Sequence, residues 1–379
     1  LINKNFLYSY SFFNSTLLEI HYLKGNQMYK KLILLPVIAL LAGCGVSSSD
    51  GVITRGDNTG GILGMSKTAD VVVDGASALE NVQDVVIGSF KIGFVESAKQ
   101  TNKAKGTFMK RGFGGKARGN VTLEGISEQT KQNITNAAYA DFMTKLKAQG
   151  YNVVNRSTLT SSDDYSSMTT KQFPYLADNS GFLSAYGKTV FYQPSALGPE
   201  GVTFSGDFPE STSGSSAASF IPGMTGVAGA MGARGDMKVA RFAEENGVAV
   251  VSATYVLDFA AAGGHSGISS ASIKVGQNLA VTQASVKILS SGSSTFKNGL
   301  ANIYLGQPVQ SGQEFGEVTN DTSGADIAVQ EAANAASLLM GQGTNRSRNY
   351  IIKANPGKYK AQSLEVLTKA NTTLVSKTK

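Results

Sequence analysis

The sequence predicts an α/β protein: a mixed β-sheet flanked by helices, with long Gly/Ser-rich loops. Three observations carry that expectation. Residues 84–96 (DVVIGSFKIGFVE) alternate Phe90, Ile92 and Phe94 with Ser89, Lys91 and Gly93, the period of two expected of a strand with one buried face. Residues 127–150 set Ile134, Ala138, Phe142 and Leu146 four apart on one helical face. Ser127 supplies an N-cap, Glu128 an acid in the first turn, and Gly150 a glycine where the helix must end. Strands at 121–125 and 151–155 bracket that helix, and strand, helix and strand in this succession build an α/β layer.

In chain order, the first informative stretch is Met28 to Cys44, MYKKLILLPVIALLAGC. Lys30 and Lys31 precede ten apolar residues, Leu32 to Leu41, and a small-residue site follows. A basic start, an apolar run of roughly 7–15 residues and small residues at the end make a secretory signal, too short to span a bilayer as a helix. A buried core helix is the poorer reading, because Pro36 would interrupt it at a cost of about 3 kcal/mol. Leu41-Ala42-Gly43-Cys44 resembles the lipobox of bacterial lipoproteins. That resemblance implies cleavage between Gly43 and Cys44 and attachment of lipid to Cys44. Gly45, rather than an aspartate, follows the cysteine, which in Gram-negative lipoproteins implies sorting to the outer membrane. Residues 1–27 read as an over-extended gene start, since Lys24-Gly25 encode an A/G-rich stretch that resembles a ribosome-binding site.

Composition then bounds the mature part, residues 44–379. Removing the segment before Cys44 takes away four lysines and one glutamate, so 34 basic and 27 acidic residues become 30 and 26, and the charge falls from +7 to +4. That is too mild to argue for nucleic acid. With one cysteine in the chain, no intramolecular disulfide forms. Residues 44–70 are rich in Gly, Ser and Asp and read as a flexible tether. A domain over 71–345 follows, interrupted by insertions at about 103–119 and 194–234; residues 346–379 add a strand and a helix.

Several elements fill that domain. Residues 103–119 hold Lys103, Lys105, Lys110, Arg111, Lys116 and Arg118 among five glycines; they read as a solvated mobile loop, or as a contact for anionic lipid headgroups or another acidic envelope surface. A short strand is expected at Val190 to Gln193, and 194–234 form a long Gly/Ser/Pro-rich excursion. A helix over Met237 to Asn246 closes at Gly247 and leads into an apolar strand, Val248 to Phe259. Ser272 to Leu289 alternates as a long strand whose apolar phase slips near Gln283, predicting a bulge. A strand at Leu300 to Leu305, an alanine-rich helix over Asp326 to Met340, a strand at Tyr350 to Lys353, a turn at Pro356-Gly357 and a helix from about Tyr359 complete the chain.

Catalytic chemistry finds little support. His265 is the one histidine after Cys44 and neighbours Ser266, but no motif ties the two into a nucleophile and its oriented base. Residues 181–189 (GFLSAYGKT) miss the phosphate-loop spacing by one and lead into a strand instead of a helix. Arg55-Gly56-Asp57 and Arg234-Gly235-Asp236 match an integrin ligand only at the level of three residues. No catalytic residue, cofactor site or metal site is assigned, and no enzyme is expected.

The succession of lipobox, tether, strand (IGSFKIGFVES), helix (NITNAAYADFMTKLKAQGYNVVNRSTL), helix, strand (GVAVVSATYVLDFA), long paired strands and helix (DIAVQEAANAASLLM) resembles the CsgG family of curli-secretion lipoproteins over roughly residues 84–345. The lipobox is its one specific motif. The resemblance implies a sheet flanked by helices on the periplasmic side and a homo-oligomer. It also implies a non-enzymatic part in envelope assembly or export, with the membrane bound through covalent lipid on Cys44 and an envelope protein as further partner. The alternative is a periplasm-facing structural or regulatory lipoprotein that forms no pore.

Overall fold

A computed structural model describes residues 46–56, 59–60, 66–67, 69–103, 115–177, 187–204, 207, 225–266, 271–290, 299–340 and 343–379. Its strands are longest where the apolar runs are longest. In chain order they begin with β1 (Val46–Val52), β2 (Thr59–Gly60), β3 (Ser66–Lys67), β4 (Val71–Asp74), β5 (Asp84–Val95), β6 (Ser97–Lys103) and β7 (Gly115–Glu124). Helix α1 (Glu128–Ala148), β8 (Asn152–Val153), the one-turn α2 (Ser157–Thr160), β9 (Thr170–Gln172), β10 (Tyr175–Ala177), β11 (Thr189–Tyr192) and β12 (Glu200–Val202) follow. The second half holds α3 (Thr225–Asn246), β13 (Ala249–Ser266), β14 (Ala271–Leu289), β15 (Leu300–Leu305), β16 (Val309–Gln310) and β17 (Gly316–Asn320). It closes with α4 (Gly324–Leu339), β18 (Thr344–Ala354) and α5 (Pro356–Val375).

A ten-stranded sheet runs β10-β11-β5-β13-β14-β15-β4, with β1 and β16 also pairing β14 and β8 pairing β5. It is mixed: β5 lies parallel to β13, while β13 and β14 form an antiparallel hairpin. A four-stranded sheet, β17-β18-β7-β6, packs against the outer half of that hairpin. The two sheets share one run of chain, because β5 passes into β6 through Glu96, whose carbonyl accepts Leu123 N–H at 2.9 Å. The close approach needs a glycine. A Cβ on Gly119 would meet Val275 Cγ2 at 2.4 Å. The fold is therefore the α/β mixed-sheet arrangement that the sequence predicts.

The large core lies between one face of the main sheet and helices α1 and α5. Phe90, Ile92 and Phe94 of β5 meet Ile134 and Phe142 of α1, Tyr255 of β13, and Leu367 and Leu374 of α5. Phe90 packs its ring at 5.3 Å from Phe142 and 5.2 Å from Tyr255. A smaller cluster on the opposite face joins Val86, Val250 and Leu289 to Val239 and Phe242 of α3. Both faces of β5 are thus covered, as a strand in a parallel pair requires.

Local signals in α1 hold in detail. Ser127 accepts Thr130 N–H, and Ile134, Ala138, Phe142 and Leu146 are the buried face. Gly150 adopts φ 87°, the left-handed conformation that ends a helix. The phase slip near Gln283 is real: the register passes from Val256 opposite Gln283 to Leu257 opposite Val281, leaving Thr282 as the extra residue.

Other expectations need correction. Residues 46–52 are no tether but strand β1, paired in parallel with β14; the polar run carries no periodic signal, and its order comes from the edge that β14 offers. The basic insertion shrinks to 104–114, which lie outside the described residues, because Lys103 ends β6 and Gly115–Gly119 open β7. The 194–234 excursion contains β12 and the first part of α3, and residues 205–206 and 208–224 lie outside the described residues. The supposed loop after Phe259 continues β13 to Ser266. Pro356 and Gly357 form no turn; Asn355 accepts Lys358 N–H as N-cap, and Pro356 opens α5, where a missing N–H costs nothing. Nor is 346–379 an appendix, since Ile352, Tyr359, Val366 and Leu374 belong to the large core.

Candidate functional site

The site residues assigned from sequence, Gly43 and Cys44, lie outside the described residues, as does the rest of 1–45. What the structure does describe is where the chain arrives from them. Val46 is the Cα partner of Ile273, near the start of β14, so the chain enters the sheet beside the turn end of the β13–β14 hairpin. The β6–β7 hairpin reaches the same end. Asn102 donates Nδ2–H to Ser272 O at 2.8 Å, one residue from Ile273, and Lys103 sits opposite Lys116.

Below this end, the chain just past β1 is fastened by side chains of β13, β14 and β16. Arg55, just past β1, donates from Nη2 to Asp258 Oδ2 at 2.7 Å and to Ala260 O. Asp258 sits where the hairpin register breaks, and its Oδ1 accepts the Phe259 and Ala260 N–H groups. Asn278 donates to Ile53 O at 2.8 Å and to Gln310 Oε1 at 2.9 Å, and that same oxygen accepts Arg55 N–H. Gln277, fully buried, accepts Phe315 and Gly316 N–H and donates to Gly316 O. Arg55 is therefore part of the fold, and Asp57 of the tripeptide it begins lies outside the described residues.

A second constellation lies on the α3 side of the main sheet. Lys91 of β5, fully buried, donates to Asp207 Oδ2 at 2.7 Å, Ser252 Oγ at 2.8 Å and Ser89 Oγ at 2.9 Å. Lys287 of β14 lies 3.1 Å from Asp207 Oδ1. Ser252 donates to Asp207 Oδ2 at 2.7 Å, and Phe204 N–H does so at 2.9 Å. Cross-strand register makes the arrangement: Ser89, Ser252, Lys287 and Asn302 stand side by side on β5, β13, β14 and β15. Burial alone would raise the Asp207 carboxyl, but Lys91 and Lys287 pull it down to about 2. Burial pushes the Lys91 ammonium below its ordinary 10.5, and Asp207 opposes that shift. A nucleophilic lysine needs its lone pair exposed to a substrate. Here the ammonium is enclosed by three oxygens, an arrangement that pins Asp207, and through it the Phe204 N–H group, to the sheet.

Sequence reading missed this cluster. It put Lys91 on a solvent face because alternation was taken to mean one buried face. The usable signal was the near-continuous apolar run VAVVSATYVLDF, which marks a neighbour buried on both faces. His265 and Ser266 close β13 by their backbones, and the rejected phosphate-loop segment lies at 181–189, of which 181–186 are outside the described residues. Among the described residues no group of three His, Cys, Asp or Glu side chains is placed to hold a metal ion. No described helix is long and apolar enough to cross a membrane, which says nothing of crossing by strands. Comparison with protein-family models, curated proteins and solved structures found no match for the chain.

Proposed function

We propose that this chain is an outer-membrane lipoprotein, lipid-anchored through Cys44 and facing the periplasm, with a non-enzymatic role in cell-envelope assembly or export similar to that of the curli-secretion lipoproteins. The observation that carries the reading is the lipobox at Leu41–Cys44 followed, two residues later, by a strand built into the main sheet. An anchor so close to the folded sheet holds the body against the bilayer instead of letting it roam on a tether. Two or more acyl chains, at about 0.8 kcal/mol for each buried methylene, suffice for stable anchoring. Cys44→Ala should leave an unprocessed, unacylated precursor, whereas wild type takes up labelled palmitate. Equal labelling of the two would end the reading.

One observation favours the form of this function without a pore. A transmembrane hairpin needs strands of about 9–11 residues with an apolar outer face. β13 and β14 are long enough, at 18 and 19 residues, but the outer half of β14 is spoken for. β1 pairs one stretch of it, Val275 packs against Gly119 of the second sheet, and Gln277 is buried on Phe315 and Gly316. A role in binding an envelope partner follows more readily from this packing than conduction does. Purified full-length protein should add no ion conductance to a planar bilayer; steady single-channel steps would restore the channel reading.

A further inference from the structure

The outer face of the β6–β7 hairpin carries charge that the fold does not use. Lys99, Thr101 and Lys103 of β6 point one way, and Lys116, Arg118 and Asn120 of β7 point the same way between the buried Gly115, Ala117, Gly119 and Val121. The register sets Lys103 opposite Lys116, Thr101 opposite Arg118, and Lys99 opposite Asn120. On the other side of β7, the positions in line are the uncharged Asn345, Ser347 and Asn349 of β18. Among the described residues none of the four cations has a carboxylate partner. The contrast is within the same sheet: Arg346 and Arg348, on the inward side of β18, both bind Glu331. Arg118 beside it, then partial burial, then Lys103 and Lys99, hold the half-buried Lys116 ammonium below its ordinary value. Like charges set directly opposite one another oppose strand pairing. Such a strip is relieved by a surface that brings many anions at once.

The position of the strip decides which surface. Asn102, between Thr101 and Lys103, bonds Ser272 O, and the next residue, Ile273, is the partner of Val46. Cys44 lies two residues before Val46, a reach of at most about 7 Å. We propose that this face is a docking strip for the phosphate groups of anionic lipid headgroups, which turns the body to a fixed orientation on the membrane. The proposal rests on the lipid-anchor reading above, since an anchor elsewhere would leave the strip far from any bilayer. An acidic protein partner is the competing occupant, and the test separates the two.

The mature, acylated protein is reconstituted into vesicles of phosphatidylcholine alone or with about one-third phosphatidylglycerol. With the Cys44 sulfur taken up by lipid, Thr101→Cys and, as a reference at the far end of α1, Lys147→Cys each offer one thiol for a fluorescent probe. Neutral acrylamide is the quencher. The probe at 101 should be shielded on the anionic vesicles and open on the neutral ones, while the probe at 147 stays open on both. Replacing Lys99, Lys103, Lys116 and Arg118 by Gln should abolish the shielding, each substitution lowering the docked-to-undocked ratio about fivefold. Equal quenching at 101 on both vesicles overturns the proposal, and so does equal shielding on both. Shielding that appears only when polyglutamate is added assigns the strip to an acidic protein instead. Protein that floats with neither vesicle shows that the anchor reading itself has failed, and the proposal falls with it.

Discussion

Asp207 shows how much a single residue carries here. Its carboxylate meets Lys91, Lys287, Ser252 and the Phe204 N–H group, all out of water. Breaking a buried pair by removing one partner costs about 3–5 kcal/mol, since the other charge is left buried. Asp207→Asn should lose that much in urea unfolding, whereas an exposed acid such as Glu365, paired with Lys369 across one helical turn, should lose under about 1 kcal/mol as alanine. The pH dependence has a definite sign. The folded carboxyl lies near 2, below its ordinary 3.8, so the unfolded chain takes up the proton first. The stabilisation is complete above about 3.8 and is lost as pH falls through about 2. Wild type should therefore weaken across this window more than Asp207→Asn does; parallel losses would show that the cluster is not the cause. None of this was legible beforehand. Asp207 sits in a Gly/Ser/Pro-rich stretch, and its partners are 116 residues away at Lys91 and 45 away at Ser252.

At the scale of elements, legibility followed periodicity. Helix α1 could be read residue by residue because its cap, its apolar face and its terminal glycine are all local. Strand β15 was expected at the limits it has. Strand β1 was hidden, because VSSSDGV has no alternation and pairs only with a strand more than two hundred residues on. Arg55 tests whether that strand is integral. Its Nη2 is bound to Asp258, whose side chain is nearly buried at the break in the β13–β14 register. Arg55→Ala should cost about 3 kcal/mol. It should also speed hydrogen exchange at the β14 amides facing β1 (273–277), while the α1 amides keep their protection. Unchanged exchange at 273–277 would mean that β1 is held by its backbone pairing alone.

The whole molecule has two ends of different character. Helices α1 and α5 cover one face of the main sheet around β5 and α3 covers the other, while the β13–β14 and β6–β7 hairpins reach the opposite end together, the latter with four cations that have no carboxylate partner among the described residues. The basic start and apolar run of Met28–Cys44 were the most legible pattern of the sequence, yet their meaning for the fold was not. Only the pairing of Val46 with Ile273 shows that the chain arriving from Cys44 meets the hairpin end. An account in which lipid on that cysteine holds the hairpin end to the membrane stands or falls on the chemistry of one peptide. Trypsin should release Cys44–Arg55 (CGVSSSDGVITR) from the membrane-extracted protein. The mass of that peptide should be that of its sequence plus a diacylglyceryl group on sulfur and an acyl group on the new amino terminus. A peptide that continues upstream through Gly43, or one that carries Cys44 as an unmodified thiol, would contradict the account.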